Sequence, residues 1–424
     1  MTIDAQIIAD PAFWHQPLAD RMAQFAQIRE QAPLPSVYIS DPFTGESLTF
    51  RALTRYADVT EVSRRPVDFC SGKGSTAIAD LQTDAMEFFG SFIVMDDPRH
   101  SRQRNIVARS FTPRALQRVL DSVERICAEV IDGFCENGEA DLVEVLSQPF
   151  PLLVICDMMG IPRSEFPTVL RATNVILGAG DPDMLGGRED VMGALLDAGL
   201  QLAGLMNELA EDRRKNPTND LTSALVHNDV GEDMLAPSEL APFFILLAVA
   251  GNDTTRTAIS HGMNLLAEHP AERVAWQSDL DGLTPKAVEE IVRMASPVVF
   301  MRRTATRPVE LAGEHLDEGE RLVMFYGAAN RDPRVFPDPE RFDIHRDPNN
   351  HVGFGGPGPH FCLGAHLARR EVSVAFRQLL TRLPDIEVTG PPVPLLSLGI
   401  PLVGGIKHLP VRFTPSKALA GSAR

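Results

Sequence analysis

The sequence predicts a mainly α-helical protein with a minor β portion. Beyond about residue 113, apolar residues recur at spacings of three and four through most of the chain, which is the pattern of amphipathic helices. One such segment near the middle runs for about 30 residues, or roughly 45 Å at 1.5 Å per residue. Short runs of strand-like composition lie towards both ends of the chain.

Three segments carry the helical periodicity most clearly: "ALQRVLDSVERICAEVIDGF", "ELAPFFILLAVAGNDTTRTAISHGMNLLAEH" and "PKAVEEIVRMA". Ser238 is a suitable N-cap for the long middle segment, and Pro270 follows its end. A last helical pattern, "LGAHLARREVSVAFRQLLTRL", contains no proline before Pro384. We therefore expect a long central helix and a further helix near the C-terminus.

The strand signals fall into three parts of the chain, at about residues 36–56, 307–328 and 396–413. In the first part, "SVYIS" and "SLTFRAL" are separated by the turn-rich "DPFTGE", which predicts a β-hairpin. "VELAG", "RLVMFYGA" and the C-terminal "GIKHLPVRF" supply the others. Since no repeat, low-complexity tract or linker divides the sequence, we expect a single domain over residues 1–424.

The composition excludes several classes of function. A formal net charge of −17 argues against broad binding to nucleic acid or anionic membranes, because both need a basic face. The N-terminal stretch is acidic where a signal peptide would be basic. The longest apolar run, "APFFILLAVAG", is too short to span a bilayer. We therefore expect a cytoplasmic protein without a membrane anchor.

A glycine-rich loop precedes a single cysteine in "GFGGPGPHFCLGAHLARRE". Gly355, Gly356 and Gly358 allow the backbone to turn freely and to lie against a flat group. Cys362 stands at the start of a helix, whose N–H groups and dipole favour a thiolate, the form that binds metals. The other four cysteines are scattered without zinc or disulfide spacing and are interpreted as buried structural residues. For Cys362 the loop favours a ligand role.

This stretch resembles the haem-binding signature of the cytochrome P-450 family of haem-thiolate monooxygenases. The matching residues are Gly358, His360, Cys362 and Gly364, with Leu367 and Ala368. The resemblance implies the P-450 fold with a long helix over the haem, heme b as cofactor, and Cys362 as its axial metal ligand. One position departs, because the phenylalanine expected at Gly355 stands one residue earlier, as Phe354. The packing of that ring over the sulfur is therefore open.

The long central helix contains an unusual polar cluster, "AGNDTT". Gly251 within a helix costs about 1 kcal/mol relative to alanine. From the residues alone, the threonine hydroxyl could bond a preceding carbonyl while Asp253 faces solvent. The resemblance instead implies that Ala250 and Gly251 lie beside the haem, and that Asp253 and Thr254 form a catalytic pair relaying protons to dioxygen.

Two further sets of charged residues gain a role from the resemblance. Glu290 and Arg293, three apart in "EEIVR", would ordinarily form a surface ion pair of small worth. The resemblance implies that they join Arg341 in a buried triad bracing the cysteine loop. It also implies contacts with the haem propionates from His100, Arg104, Arg303 and His360. Arg99 and Arg102 are interpreted as ordinary surface charge.

Substrate choice in the family resides in variable segments flanking the haem. Here these segments are apolar, as in "MEFFGSFIVM", "FFILLAVAG", "VVFM" and "LGIPLV", which suits a hydrophobic ligand. The candidate pocket residues are Val94, Leu247, Val298, Val299 and Ile400, although some of these segments could be core. The motifs resemble the actinobacterial branch that hydroxylates terminal methyl carbons of methyl-branched lipids and steroid side chains. A branched-chain lipid, isoprenoid or sterol-like substrate is therefore expected.

No flavin or nicotinamide fingerprint is present in the sequence, so a ferredoxin and a ferredoxin reductase are the expected electron donors. Docking of an acidic ferredoxin would use positive charge near the cysteine loop, from Arg104, Arg114, Arg369 and Arg370. Two alternatives remain: a peroxide-driven peroxygenase of the same fold, and a non-catalytic haem-binding sensor or carrier. The acid and alcohol pair argues against the second.

Overall fold

The structure is a computed structural model that describes residues 4–41, 45–80, 83–111, 117–178, 180–227, 234–397 and 399–419. Within these residues, helices α1 to α15 are, in order, Pro11–Trp14, Leu18–Gln31, Tyr56–Arg64, Thr83–Gly90, Arg99–Ala108, Gln117–Asp132, Pro149–Met159, Phe166–Leu177, Val191–Lys215, Leu221–Val226, Pro237–Glu268, Pro270–Ser278, Leu280–Ala295, Tyr326–Ala329 and Ala365–Arg382. Strands β1 to β12 are Ser36–Ser40, Ser47–Leu53, Phe69–Cys70, Glu139–Asp141, Phe300–Ala305, Val309–Leu311, Glu314–Leu316, Arg321–Phe325, Glu387–Val388, Val393–Pro394, Ile406–His408 and Pro410–Arg412. The predicted fold class, mainly helical with a minor β portion, is confirmed.

The central helix α11 is 32 residues long and packs against α4, α7, α8, α9, α13 and α15. Its start differs from the prediction, because Ala236 and not Ser238 is the N-cap. Pro237 occupies the first helical position, where its missing N–H is no loss. The Glu239 carboxylate accepts the Ala236 N–H at 2.7 Å, which gives a hydrogen-bond partner to the backbone N–H of the N-cap residue. The helix ends before Pro270, as predicted.

The largest hydrophobic cluster surrounds α11 and contains Ile259, Met263, Trp276 and Phe376, all fully buried. Two smaller clusters lie on the two faces of the main sheet, one with aromatic rings of α1 and α2, the other with residues of α3. This packing places α11 at the centre of the helical part of the protein. Among the described residues, no helix combines the length and apolar character needed to cross a membrane.

The main sheet has the strand order β1-β2-β8-β5-β3. Strands β1 and β2 form the predicted antiparallel hairpin, β2 pairs with β8 in parallel, and β5 pairs with β8 antiparallel. Strand β5, "FMRRTA", was not predicted, because its two arginines obscure the apolar alternation. Successive side chains of a strand point to opposite faces. Arg302 accordingly binds the Ile78 carbonyl at 2.8 Å, whereas Arg303 lines the internal cavity.

Candidate active site

The cysteine loop lies between α11 and the start of α15. The Cys362 N–H donates to the Phe354 carbonyl at 2.9 Å, which closes the loop. Gly364 is the N-cap of α15, so the cysteine directly precedes the free N–H groups of that helix. Burial raises the pKa of the Cys362 thiol, whereas the Gly364 N–H and the charges of Arg104 and Arg369 favour the thiolate. A bound metal ion would be needed to hold the sulfur ionised in this buried position.

The loop glycines serve two different surfaces. A Cβ at Gly364 would meet nothing within 4 Å, so this position leaves open space beside the cysteine. Gly355, at φ +89°, also faces the cavity. By contrast, a Cβ at Gly356 or Gly358 would collide with Ser63 at 2.4 and 2.1 Å. Gly356 and Gly358 therefore have a packing reason, since they allow α3 to approach the loop closely.

An internal cavity of about 230 Å³ lies beside the loop. Its walls are mainly apolar, and they include Phe92, Ile93, Phe243, Leu246, Leu247 and Val298. Cys362 contributes from the loop, and Ala250, Gly251 and Thr254 contribute from α11. The cavity therefore brings the two most distinctive motifs of the sequence onto one enclosed space.

Basic groups gather at the same cavity. The rings of His100 and His360 lie 4.1 Å apart between centroids. Burial lowers the pKa of His360 to about 2, with Arg303, His100 and Arg104 adding to the effect, so this imidazole is neutral. Arg303 is buried and donates to the Arg302 carbonyl at 2.7 Å, and Arg104 donates to the Phe361 carbonyl. Ser71 is within hydrogen-bond distance of His360 Nε2, at 3.1 Å. All four residues predicted to contact the propionates lie together.

On α11, Thr254 lines the cavity and its hydroxyl donates to the Ala250 carbonyl at 2.7 Å. Asp253 is buried rather than solvated, with Asn252 Nδ2 at 3.1 Å and the Arg256 guanidinium at 3.8 Å from its carboxylate. Burial raises the pKa of Asp253 to about 6, although Arg256 opposes the rise. The Thr254 hydroxyl thus bonds a preceding carbonyl, as the residues alone allowed, whereas Asp253 is buried and does not face solvent. The proton relay stays a prediction.

The absent side chain of Gly251 also has a packing reason. A Cβ there would lie 2.8 Å from Ile155 Cδ1 of α7. Glycine therefore lets α7 approach α11. It also places no side chain on the cavity wall at this turn of the helix.

A second buried acid at the cavity was not predicted. Glu371 of α15 is 2% exposed and accepts a hydrogen bond from the Thr255 hydroxyl at 3.1 Å. Its other oxygen is buried with no hydrogen-bond partner among the described residues. Burial raises the pKa of Glu371 to about 8, which the Thr255 hydrogen bond only partly opposes. The side chain is consequently protonated at neutral pH.

Comparisons with known proteins identify the family. The family model described as Cytochrome P450 matches residues 201–388. The methyl-branched lipid omega-hydroxylase of Mycobacterium tuberculosis is 45% identical over 408 residues, covering 95% of this chain and 93% of that protein. The chain belongs to the cytochrome P450 family. The steroid C26-monooxygenase of the same organism is 35% identical over 417 residues, covering 96% of this chain and 92% of that protein.

A solved structure supports the same conclusion for the P450 fold. The Mycobacterium marinum cytochrome P450 CYP268A2 in complex with pseudoionone has a TM-score of 0.89 and 38% identity, covering 97% of this chain and 99% of that one. The chain is therefore a cytochrome P450 monooxygenase with lipid and steroid hydroxylases among its relatives. The family implies a haem, dioxygen and a hydrophobic substrate.

The residues around the cavity fit a haem. The Nε2 atom of His100 is buried and has no hydrogen-bond partner among the described residues, although its Nδ1 lies 3.6 Å from an Asp97 oxygen. An unpartnered buried nitrogen is costly, and with its proton on Nε2 the His100 ring would donate to the carboxylate of a propionate. Arg303 and Arg104 add positive charge at the same wall, and the space beside Gly364 accepts a flat ring.

The structure corrects the proposed triad. Glu290 and Arg293 are both fully buried and form a two-bonded ion pair, at 2.8 Å for each bond. The second arginine on Glu290 is Arg346, at 3.2 Å, and not Arg341. Arg341 contributes its carbonyl, which accepts from both of those guanidinium groups at 3.1 Å. The reason is that Arg341 itself is exposed, whereas Arg346 folds back over the same buried carboxylate.

Two of the five candidate pocket residues line the cavity, Leu247 and Val298. The other three do not. Val299 is adjacent to Val298 but points to the opposite face, where it packs with Ile400 against the N-terminal aromatic cluster. Val94 is buried against Gly90, while its neighbours Phe92 and Ile93 face the cavity. Neighbouring residues in extended backbone point to opposite sides, which separates Val299 from Val298. In the short helical turn of Val94, the neighbours Phe92 and Ile93 take the cavity side.

The arginines expected to form a docking patch have partners within the chain. Arg369 pairs with Glu289, and Arg370 pairs with Glu124 at 2.9 Å. Arg104 is half buried, and Arg114 lies outside the described residues. The surface near the loop is therefore less positive than the sequence suggests. Arg99 and Arg102 form exposed ion pairs with Glu87 and Glu239, as expected of surface charge.

Proposed function

We propose that this P450 hydroxylates a terminal methyl carbon of a methyl-branched lipid, isoprenoid or sterol-like chain, with Cys362 as the axial ligand of heme b. The observation that carries the proposal is the apolar cavity, which is lined by Cys362, by Arg104, Arg303 and His360 of the basic cluster, and by Thr254 of α11. Haem with a thiolate ligand supplies the cleavage of dioxygen and oxygen transfer to carbon. Ligand orientation, water exclusion and proton supply fall to the protein.

The basic cluster would hold the cofactor through its two carboxylates. His100 offers a buried Nε2 without a partner among the described residues, and the buried Arg303 guanidinium donates to the Arg302 carbonyl. Charge-assisted hydrogen bonds to such donors are stronger than neutral ones. They would set the orientation of the ring against the cysteine loop.

Proton supply would come from α11. Asp253, with a pKa raised to about 6 by burial, can both hold and release a proton near neutral pH. The Thr254 hydroxyl, on the cavity wall, would carry the proton inward once it exchanges its bond to the Ala250 carbonyl.

The substrate class is supported by the walls and by the relatives. Around the cavity the lining is mainly Phe, Leu, Ile and Val, which favours an aliphatic ligand over a charged one. The relatives at 45% and 35% identity are named for methyl-branched lipids and for carbon 26 of steroids.

Electrons would come from a ferredoxin and its reductase, as in our expectation from the sequence. Because Arg369 and Arg370 are each paired with a glutamate, we expect only a moderate salt dependence of reduction. Charge reversal at Arg370 would slow reduction by ferredoxin if that residue contacts the partner.

The test is a titration of the ferric haem protein with methyl-branched fatty acids, straight-chain fatty acids of equal length, isoprenoids and sterols. We expect the haem spectrum to shift with branched chains, and a ferredoxin-driven reaction to give the terminal alcohol. A spectrum that responds to none of these ligands would refute the substrate class. Turnover with peroxide but not with ferredoxin would instead identify a peroxygenase.

A further inference from the structure

A charged cluster stands behind the cysteine loop, around the ring of Phe354. The Arg369 guanidinium lies over that ring, with its carbon 4.3 Å from the ring centroid. Glu289 of α13 clamps the same guanidinium with both oxygens, accepting from Nε and, at 3.0 Å, from Nη2. Arg369 is therefore held over the Phe354 ring by a carboxylate of a second helix.

His351 completes the clamp. Its Nδ1 accepts the Gly353 N–H at 3.1 Å, so its Nε2 carries the proton and donates to Glu289 at 3.0 Å. The His351 ring is also 5.8 Å from the Phe354 ring. Burial alone would raise the pKa of Glu289, but the bonds from His351 and Arg369 lower it to about 2. The carboxylate is thus permanently charged and keeps the arginine in place.

Residue 354 connects this cluster to the sulfur. The Phe354 carbonyl is the acceptor for the Cys362 N–H, at 2.9 Å, and both residues line the cavity. A shift of the Phe354 ring would move the backbone that fixes Cys362. The Arg369 guanidinium thus lies over the ring of the residue whose carbonyl holds the Cys362 N–H.

We propose that Arg369 is a positioning residue for the cysteine ligand: clamped by Glu289 and His351, it fixes Phe354 and places a positive charge beside the cysteine loop. The displaced Phe354 ring thus has a cation over one face. Arginine is required because its planar fork stacks on a ring and binds a carboxylate with two bonds, which lysine cannot do together. The inference rests on Cys362 being the axial ligand, as proposed above.

The chain offers a matched control in the next residue of α15. Arg370 is 39% exposed against 32% for Arg369, carries the same charge and also pairs with a glutamate. It contacts Glu124 rather than Phe354. Arg369→Gln and Arg370→Gln therefore remove the same charge from neighbouring positions of one helix.

The experiment measures two properties of the haem-loaded protein: its reduction potential, and the rate at which the thiolate-type carbon monoxide spectrum is lost in mild urea. For Arg369→Gln we expect a more negative potential, because a cation near the iron favours the reduced state, and a several-fold faster spectral loss. Arg369→Lys should restore the potential but not the slow loss. Glu289→Gln should reproduce the fast loss, and Arg370→Gln should match the wild type.

A further variant tests the route through the ring. If Arg369 acts through Phe354, the spectral loss of the double variant Phe354→Leu, Arg369→Gln will be no faster than that of the faster single variant. Additive effects would refute that route, and identical behaviour of Arg369→Gln and Arg370→Gln would overturn the inference while leaving the proposed function intact. A wild-type protein without a thiolate-type spectrum would overturn both.

Discussion

Replacement of Glu371 by glutamine should stabilise the protein increasingly as the pH rises. Burial raises the pKa of this carboxyl from 4.5 to about 8. Between these values the folded protein keeps a proton that the unfolded chain releases, so the wild type loses stability with rising pH. Glutamine is close in shape, cannot ionise, and keeps an acceptor for the Thr255 hydroxyl.

The magnitude follows from the two pKa values. Each unit of separation corresponds to about 1.4 kcal/mol, so the advantage of the glutamine variant should grow by roughly 3 kcal/mol between pH 5.5 and pH 8.5. The growth would be steep below pH 8 and would level off above it. Because only the difference between two proteins is used, other titrating groups cancel to first order.

The assay is urea unfolding of the haem-loaded wild type and Glu371→Gln at several pH values across this window. Glu208→Gln is the control, since Glu208 is an exposed residue of α9, and its difference from the wild type should stay flat. A difference for Glu371→Gln that is also independent of pH would refute the buried, protonated state of Glu371.

Three further predictions follow from the site. Thr254→Ala should keep the haem but divert reducing equivalents to peroxide, because the hydroxyl on the cavity wall is lost; full coupling, measured as product per reducing equivalent, would exclude the relay role. Arg346→Ala should lower the free energy of unfolding by about 3–5 kcal/mol, because it removes a partner from the buried Glu290 carboxylate. Arg341→Ala, at an exposed position, should change that free energy by about 0.5 kcal/mol or less. Equal losses for the two variants in urea unfolding would contradict the corrected triad. Leu247→Ala should change substrate affinity in a spectral titration and Val299→Ala should not, because only Leu247 lines the cavity; the reverse result would contradict the pocket assignment.

Local signals in the sequence predicted much of the fold. The central helix, the hairpin of β1 and β2, and the helix after the cysteine loop follow from periodicity and from prolines at their ends. Strand β5 was missed because Arg302 and Arg303 break its apolar alternation. The start of α11 was displaced because Pro237 at the first helical position outweighs a serine cap one residue later.

Within the site, the sequence located residues that the fold brings together, but not the contacts that tertiary folding decides. Arg104, Arg303 and His360 line one cavity and His100 packs against His360, although the four come from three separate segments. Their contact with propionates stays a prediction. Whether Arg341 or Arg346 pairs with Glu290 depends on how an irregular segment folds back over that carboxylate. The periodicity of the sequence gives no information about such a segment. An exposed "PERF" arginine and a buried one look alike in sequence.

Glu371 and Glu289 were missed for a related reason. Each is one of many glutamates on helices, and its importance arises from a partner distant in sequence, Thr255 for one and Arg369 for the other. The available signals were weak: "LARRE" puts Glu371 nine residues after the cysteine, and "EEIVR" doubles the acid before the triad arginine. The positions of Glu371 and Glu289 on their helices, relative to Cys362 and Glu290, were the signal that could have identified them.

The most direct test of the proposed function uses isotopically labelled dioxygen. Haem-loaded protein is supplied with a ferredoxin, its reductase and a methyl-branched fatty acid, and the product is analysed by mass spectrometry. We expect one labelled oxygen atom in a terminal hydroxyl group, and no product from a Cys362→Ala variant. An unlabelled alcohol, or equal activity in the cysteine variant, would contradict a thiolate-dependent monooxygenase.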